Sequence, residues 1–348
     1  MSHLTFLEAA VVGVIQGVSE MFPVSSLGHN VLIPALVGGS WARDLNVATP
    51  ESPYLAFIVG LHVATALALL VYFWRDWVRI IGGFFSSIRD RSVATDDQRL
   101  AWMIILATIP VGIVGLAFEH AFRVIFGKPV YAAIFLAVNG VILIAGERYR
   151  TRASLAADAA IAAERRPAPA AAVRQRELTA SGPPGFTAAG RRAPPPGRHR
   201  SGSQAGRPLE MADAARSDQR LASIGLPQAV AVGSAQILAL AAGISRDGVA
   251  MVAGMARGLS REDAARFAFL LATPVILAAG ALKIPDLFGP LGNGIRGQIL
   301  LASVLSGVGA YLSVRFLLRY LRTRTLTPFG VYCLVAGLAS VIYLGLIK

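Results

Sequence analysis

The stretch EMFPVSSLGHN, Glu20 to Asn30, decides the fold because it places a proline and several polar residues between two apolar runs. The runs are LTFLEAAVVGVIQGV before it and VLIPALVGG after it. Residues 4–18 would form a helix of only ~22 Å at 1.5 Å per residue, and Pro23 cannot continue a helix interior. Irregular backbone at membrane depth is tolerated only where protein or a water-filled cavity surrounds it. We therefore predict a re-entrant region over residues 4–37, with an ordinary first span over 4–18 as the alternative.

The composition indicates a membrane protein. Of the 348 residues, 55% are hydrophobic and 15% are charged, whereas a soluble domain of this size carries about 25% charged residues. The single cysteine, Cys333, lies in an apolar run, which excludes a disulfide framework and a cysteine-based metal site. The opening residues MSHLTF are not typical of a signal peptide. We predict an all-α polytopic membrane protein with six spans of roughly 20 residues each, at about 55–74, 100–118, 129–146, 264–282, 298–318 and 328–347.

A second broken region, residues 226–260, resembles the first at an offset of 220 positions. Each half of the chain then holds one broken region and three spans. Because three is an odd number, the halves, 1–146 and 224–348, are predicted to be inverted relative to each other. Paired broken helices in an inverted repeat place a binding site near the midplane, where their tips meet. The matched positions are Gly13 with Gly233, Gln16 with Gln236, Ser25 with Ser245, and Gly28 with Gly248.

Residues 147–223 are predicted to be a disordered insert, because they are rich in Ala, Pro, Gly and Arg and poor in large apolar residues. Residues 147–220 carry 14 Arg and 7 acidic residues, so they account for +7 of the formal net charge of +13. Few aromatic residues are present to stack on bases, which argues against specific nucleic-acid binding. The alternative interpretation is that the insert is a tail that binds nucleic acid or anionic lipid. The positive-inside rule places this insert and the Arg-rich connections 75–99 and 319–325 in the cytoplasm, with both termini outside.

The residues at the two breaks form a set suited to phosphate chemistry. Glu20 can hold a divalent cation through oxygen, and Arg246 offers a bidentate fork to phosphate. A hydroxyl or an imidazole can attack phosphorus or move a proton, and Gly-flanked turns at helix starts present N–H groups to anions. The set therefore predicts a pyrophosphate headgroup site. If the tips meet, the residues that face each other are Gln16, Glu20, Ser25, Ser26 and His29 on one tip and Ser245, Arg246 and Asp247 on the other.

Each candidate also has a structural interpretation. Glu20 can simply pair with Arg246 in the protein interior. Ser25 and Ser26 can cap the helix that follows the proline. A lone histidine in a membrane protein is more often a hydrogen-bonded structural residue, and for His62 on the first span we keep that interpretation. The combination at two matched breaks favours function over structure.

Two motifs resemble the undecaprenyl-pyrophosphate phosphatase family, also called the bacitracin-resistance BacA/UppP proteins. QGVSEMFPVSSLGH, Gln16 to His29, is similar to the family's first signature, and AGISRDGVA, Ala242 to Ala250, is similar to its second. The flanking stretches GLSREDAARFAFLLATPVILAAGALK and LALLVYFWRD also look like the family. The resemblance covers nearly the whole chain except residues 147–220.

The resemblance implies an integral enzyme of the bacterial plasma membrane that removes the terminal phosphate from a C55 polyprenyl diphosphate, so that cell-wall synthesis can reuse the lipid. It implies a site toward the outer side, with Glu20 and Gln16 as the metal-side pair for Mg²⁺ or Ca²⁺. Arg246 would clamp the pyrophosphate, and Ser26 or His29 would serve in nucleophilic and proton-transfer roles. A homodimer is left open. The implied substrate-binding residues are Gln16, which also belongs to the metal-side pair, and Ser25, Gly28, Ser245 and Asp247.

The second motif departs from the family at three positions. Ala242 stands where the family has Pro, Asp247 where it has a second Ser, and Ala250 where it has Thr. In the first motif, Leu27 replaces a common Thr. Asp247 beside Arg246 could neutralise the clamp and repel a diphosphate, or it could supply another metal ligand. Retained phosphatase activity is favoured. The alternatives are a paralogue acting on another lipid diphosphate, a lipid transporter or flippase, and a non-catalytic remnant.

Overall fold

The computed structural model describes residues 4–45, 53–126, 128–164, 216–288 and 294–346. Over these residues all regular structure is helical. Residues 1–150 and 216–348 form one compact unit, and residues 151–215 form a second. The helices are α1 (Phe6–Met21), α2 (Ser26–Val37), α3 (Gly39–Asp44), α4 (Pro53–Tyr72), α5 (Trp74–Asp90), α6 (Asp96–Phe126), α7 (Pro129–Glu164), α8 (Arg216–Ser223), α9 (Leu226–Ala235), α10 (Arg246–Ala256), α11 (Arg261–Phe288), α12 (Arg296–Leu321) and α13 (Thr327–Leu346).

Within the described residues, five helices are long and apolar enough to cross a membrane: segments of α6, α7 and α11, and the whole of α12 and α13. Their outward faces are apolar, as expected for surfaces that contact lipid rather than water. On α12 the exposed side chains recur every fourth position, at Leu300, Val304, Val308, Leu312 and Phe316. The protein is therefore an all-α, multi-pass membrane protein, which confirms the predicted fold class. Five of the predicted spans lie largely within these helices.

Two further helix pairs are sharply bent. The axis turns by 84° between α4 and α5, directly after Tyr72, so the predicted span 55–74 ends at a bend. The axis turns by 90° between α8 and α9. A 3₁₀ turn, Gln236–Leu240, extends α9 before the chain breaks. Neither bend lies at the two polar stretches, Glu20 to Asn30 and Gly243 to Gly248, at which breaks are predicted.

The first break has a local cause in the sequence. Thr5 and Glu8 form a capping box that starts α1, and α1 ends at Met21, just before Pro23. Ser25 then adopts a left-handed φ of 67°, which is uncommon for a residue other than glycine. Its hydroxyl accepts a hydrogen bond from the Gly28 N–H at 3.2 Å and so starts α2. The proline and the serine cap together break α1 from α2.

The matched glycines bring the broken helices against the opposite half of the chain. A Cβ at Gly13 would lie 2.6 Å from the Ala302 carbonyl oxygen, and α1 therefore packs closely on α12. A Cβ at Gly233 would lie 1.9 Å from the Ala107 carbonyl oxygen, and α9 packs in the same way on α6. Small residues allow such close helix approach in membranes. These equivalent contacts support the repeat, while its inversion stays a prediction.

The edges of the predicted disordered insert 147–223 are helical. The helix α7 continues to Glu164 through an alanine-rich run, and alanine has the strongest helix propensity. At the other edge, α8 is held by its polar side chains: Ser217 donates to Asp263 at 2.6 Å, and Asp218 pairs with Arg79 and Arg266. The prediction of disorder, which rests on the lack of large apolar residues, is therefore wrong at both edges, where the chain is helical. Residues 165–215 lie outside the described residues.

Ion pairs connect the Arg-rich ends of several helices. Arg266 pairs with Asp76 at 2.9 Å, which joins α11 to α5. Arg322 pairs with Glu262 at 2.9 Å, which joins the end of α12 to the start of α11. The Arg-rich connections 75–99 and 319–325 therefore both contact the first turns of α11.

Candidate active site

The two broken regions meet at their tips. The Gly243 N–H donates to the Ser25 hydroxyl at 3.2 Å, across the boundary between the halves. A Cβ at Gly28 would lie 2.9 Å from the Gly243 Cα, so only glycine permits this approach. Gly243 itself has a φ of 109°, which favours glycine. On the second tip Ser245 caps α10 by accepting from the Gly248 N–H at 3.1 Å, as Ser25 does for α2.

Asn139 of α7 connects both tips. Its amide nitrogen donates to the Pro23 carbonyl at 2.9 Å, and its amide oxygen accepts from the Ser245 N–H at 3.0 Å. The side chain is fully buried. Sequence reasoning missed this residue, although an asparagine within a predicted span is a signal, because such amides form hydrogen bonds between helices.

Glu20 lies at the centre of the site. Its Oε1 atom forms an ion pair with Arg246 Nη2, and its Oε2 atom accepts from the Ser26 hydroxyl. The Gln16 amide nitrogen also donates to Oε2, at 3.1 Å. Gln16 is held in turn by Asn30, whose amide donates to the Gln16 oxygen at 2.7 Å. The two tips therefore contact each other as predicted, through the Glu20–Arg246 ion pair and through the Ser25 hydroxyl, which accepts from the Gly243 N–H.

His62 also contacts the Glu20 carboxylate, although the sequence favours a structural role for this histidine. Its Nε2 atom lies 3.3 Å from Glu20 Oε2, and its Nδ1 atom lies 2.9 Å from the Ile58 carbonyl oxygen. Both ring nitrogens face oxygen acceptors, so a ring protonated on both nitrogens satisfies the two contacts. Sequence reasoning had no signal for this contact, because His62 lies on a helix remote from either motif.

His29 points away from this cluster. Its Nε2 atom lies 2.7 Å from the Tyr332 hydroxyl, and its Nδ1 atom lies 2.8 Å from the Ser25 carbonyl oxygen. The ring also stacks on Tyr332. His29 thus joins α2 to α13, and it does not line the cavity beside Glu20.

A cavity of about 160 Å³ opens beside the Glu20 cluster. Six of the nine predicted site residues line it, whereas Gln16, Gly28 and His29 do not. Its apolar wall includes Val111, Leu240, Ile244 and Val275. Its polar wall consists of Glu20, Ser25, Ser26, His62, Gln236, Ser245, Arg246 and Asp247. The cavity is therefore amphipathic, because hydroxyl, acidic and cationic groups and several apolar side chains line it.

The residues of this cavity fit a hard cation, but through a different pair from Gln16 and Glu20. Both Glu20 oxygens accept from the donors described above, and the Gln16 oxygen accepts from Asn30. The oxygens that lack hydrogen-bond partners are those of Asp247 and Gln236. In the described part of the chain, no group of three or more His, Cys, Asp or Glu side chains could form a complete cage. Mg²⁺ commonly binds through one or two protein oxygens together with waters and substrate phosphates.

The family model described as bacitracin resistance protein BacA matches residues 9–168 and 205–339. The chain belongs to this family. Among BacA relatives, the undecaprenyl-diphosphatase of Mycolicibacterium paratuberculosis is 55% identical over 345 residues, which cover 99% of each chain. The undecaprenyl-diphosphatase 1 of Frankia casuarinae is 52% identical over 373 residues, covering 99% of this chain and 100% of the relative. The undecaprenyl-diphosphatase 2 of Burkholderia lata is 38% identical, covering 93% of this chain and 91% of the relative. The resemblance found in the sequence is confirmed.

Proposed function

We propose that this BacA-family protein is an undecaprenyl-diphosphate phosphatase. It hydrolyses undecaprenyl diphosphate to undecaprenyl phosphate and phosphate, and so returns the lipid carrier to cell-wall synthesis. The observation that carries the proposal is the convergence of Glu20, Ser26 and Arg246 from two broken helices in one amphipathic cavity. The names of full-length relatives at 52–55% identity support the same activity.

The cavity offers a place for each part of an amphipathic substrate. Helices α2 and α10 both begin at its wall, at Ser26 and Arg246, and helix N-termini favour anions. The Arg246 guanidinium adds a cation whose Nε atom has no hydrogen-bond partner. The volume of about 160 Å³ suits the diphosphate group rather than a whole lipid, and the apolar wall suits the first isoprene unit.

In the proposed reaction, Ser26 attacks the terminal phosphorus. Its Oγ atom forms the new P–O bond while its proton passes to Glu20, with which it already shares a hydrogen bond. The anhydride P–O bond breaks, and undecaprenyl phosphate leaves. A water molecule then attacks the phosphoserine, releases phosphate and restores the Ser26 hydroxyl. We assign attack to Ser26 rather than His29 because the His29 ring lies outside the cavity lining.

His62 and Arg246 complete the proposed machinery. Arg246 stabilises the negative charge that develops on the phosphoryl oxygens, as arginine does in phosphoryl transfer generally. His62 contacts the same carboxylate oxygen as Ser26 does, so its doubly protonated ring can donate a proton to the leaving group, and the proton that Glu20 takes from Ser26 then restores the ring. A divalent cation, when bound, would supply further neutralisation of the diphosphate charge.

Phosphate release from purified protein tests the proposal. In detergent with C55 diphosphate and Mg²⁺, the wild type releases phosphate, whereas Ser26→Ala, Glu20→Gln and Arg246→Ala each reduce the rate at least ~100-fold. Asp90→Asn, an exposed carboxylate on α5, serves as the control and keeps the wild-type rate. Acid quenching followed by mass spectrometry is expected to find phosphate on Ser26. A folded, metal-supplied wild type that releases no phosphate would contradict the activity.

A lipid transporter or flippase is the second candidate, and the meeting of two broken helices favours it, because transporters use this arrangement. Reconstituted liposomes separate the two. Movement of a labelled lipid diphosphate across the bilayer without phosphate release supports transport. A third outcome, activity that appears only in the double variant Asp247→Ser, Ala250→Thr, identifies a site that has decayed.

We also propose that the enzyme lies in the bacterial plasma membrane with its cavity toward the outer side and the segment 147–223 in the cytoplasm. The distribution of arginine supports this orientation, and so do the contacts among the Arg-rich helix ends. A polyprenyl diphosphate is the proposed partner in the membrane. A homodimer stays a prediction.

A further inference from the structure

Asp247 is a buried carboxylate without a hydrogen bond. Its exposed fraction is 1%, and neither of its side-chain oxygens has a hydrogen-bond partner. Burial of an ionised carboxylate is costly unless it is paired or binds a metal, and nearly all buried polar groups in proteins are satisfied. The residue lies in the first turn of α10 and lines the cavity. A group that enters the cavity can therefore satisfy its two oxygens.

Gln236 has the same property on the same cavity. Its exposed fraction is also 1%, and both its amide oxygen and its amide nitrogen lack hydrogen-bond partners. It begins the 3₁₀ turn that precedes the second tip. Two buried side chains of this kind on one wall provide three oxygen atoms available to a ligand.

Among the described residues, Asp247 forms an ion pair with Arg246 but accepts no hydrogen bond. The cation beside it is Arg246, whose Nε atom lies 3.7 Å from Asp247 Oδ1, beyond hydrogen-bonding distance, and whose Nη2 atom is engaged by Glu20. His62, the other basic group on the cavity, contacts Glu20. Glu20 therefore has partners for both of its oxygens, whereas Asp247 has none within hydrogen-bonding distance.

We infer that Asp247 and the Gln236 amide oxygen bind a divalent cation of the hard, oxygen-preferring class, such as Mg²⁺, Mn²⁺ or Ca²⁺. The remaining ligands are water and, resting on the proposed function, phosphate oxygens of the substrate. The site differs from the Gln16 and Glu20 pair that the family resemblance implies. It also gives Asp247, the departure from the family's second motif, a role in cation binding.

Mn²⁺ binding to metal-free protein in detergent, measured by electron paramagnetic resonance and calorimetry without substrate, tests the inference. The wild type is expected to bind one Mn²⁺ per chain in the cavity. Asp247→Asn is expected to weaken the Kd at least ~10-fold, since it removes a full ligand charge, and Gln236→Leu is expected to weaken it by a smaller factor. Asp90→Asn removes an exposed carboxylate elsewhere and keeps the wild-type Kd.

Thermal unfolding distinguishes the loss of cation binding from misfolding of the variant. Because Asp247→Asn removes a buried carboxylate whose oxygens accept no hydrogen bond, its Tm in EDTA is expected to equal or exceed that of the wild type. Mn²⁺ raises the Tm of the wild type by mass action, and this rise is expected to disappear in the variant. The inference is overturned if Asp247→Asn keeps both the wild-type Kd and the Tm rise, or if only Glu20→Gln abolishes binding.

The two proposals fail separately. Loss of Mn²⁺ binding in Asp247→Asn, combined with a wild type that releases no phosphate, supports the cation site and contradicts the phosphatase. Phosphate release by the wild type, combined with unchanged Mn²⁺ binding in Asp247→Asn, supports the phosphatase and contradicts the cation site.

Discussion

At the scale of single residues, Glu20 has more partners than an interior ion pair requires. A buried salt bridge alone is weak evidence even for stability, so the contact with Arg246 would be compatible with a structural role. The same carboxylate also contacts Ser26 and His62, and all four side chains line one cavity. Phosphoryl transfer needs this arrangement: the Ser26 hydroxyl, the Glu20 carboxylate as its base, and the cationic groups of Arg246 and His62 surround one cavity.

The two histidines near the first tip are expected to differ in their effect on catalysis. His62→Gln is expected to lower kcat roughly 100-fold, because a proton-transfer group contributes about 10²–10⁴-fold. KM is expected to change little, since His62 contacts Glu20 rather than the predicted phosphate clamp. Steady-state phosphate release measures both constants.

His29→Gln is the matched comparison. The ring contacts Tyr332 and the Ser25 carbonyl outside the cavity, so its replacement is expected to reduce kcat less than His62→Gln does. A greater loss of kcat in His29→Gln, with an unchanged Tm, would return His29 to the catalytic role that the resemblance implies.

At the scale of elements, the tips are held in place by a third helix. Asn139 of α7 bonds to the Pro23 carbonyl and to the Ser245 N–H, which belong to different broken regions. Neither backbone group has a regular helical partner at a break, so a side chain must satisfy it. The position of Ser26 relative to Arg246 thus depends on Asn139, a residue that belongs to neither motif.

Replacement of Asn139 is expected to disturb both stability and catalysis. Asn139→Leu leaves the Ser245 N–H unsatisfied and leaves the Pro23 carbonyl with only the Cys333 thiol at 3.9 Å, at a cost of about 1–3 kcal/mol for an unsatisfied group, and it lets the tips separate. We expect a lower Tm and a lower kcat. Asn139→Asp keeps an acceptor for the Ser245 N–H and is expected to be intermediate in kcat. Equal kcat values in all three proteins would show that the tips do not need this connection.

The close packing of α1 on α12 gives a second test at this scale. A Cβ at Gly17 would lie 2.3 Å from the Ser306 carbonyl oxygen, so Gly17→Ala is expected to cost about 1–3 kcal/mol as an overpacked contact. Gly112→Ala on α6 is the matched control, because a Cβ there meets nothing within 4 Å. Thermal unfolding in detergent is expected to show a lower Tm for Gly17→Ala only. A wild-type Tm in both would mean that α1 can shift on α12 without cost.

The sequence predicted the elements better than the contacts between them. Apolar length identified the spans, and Pro23 identified the first break. The Glu20–Arg246 contact followed from matching the breaks, because paired tips can meet only if the repeat is real. His62 and Asn139 could not be found in this way, since their roles depend on which face of a buried helix meets the tips. The helical edges of the insert were missed because alanine forms helices without supplying a large apolar surface.

At the scale of the whole molecule, the arginine distribution predicts which loops face the cytoplasm, and one cysteine makes this testable. Cys333 is the only cysteine of the chain, and it is buried, so Cys333→Ala gives a background without thiols. Ser92, between α5 and α6, and Lys128, at the start of α7, are both exposed. They lie at opposite ends of α6, and α6 contains one of the spanning segments.

A membrane-impermeant maleimide applied to intact cells is expected to label Lys128→Cys and to leave Ser92→Cys unlabelled, with both labelled after the cells are opened. The physical reason is that arginine-rich loops are retained on the cytoplasmic side during insertion, and Arg89, Arg91 and Arg99 surround Ser92. Cys333→Ala alone is the blank. The reverse pattern would put the Arg-rich loops outside and the opposite end of α6 in the cytoplasm. Labelling of both sites in intact cells would mean that α6 does not separate them across the bilayer, and the multi-pass arrangement would then have to be redrawn around the two bent helix pairs.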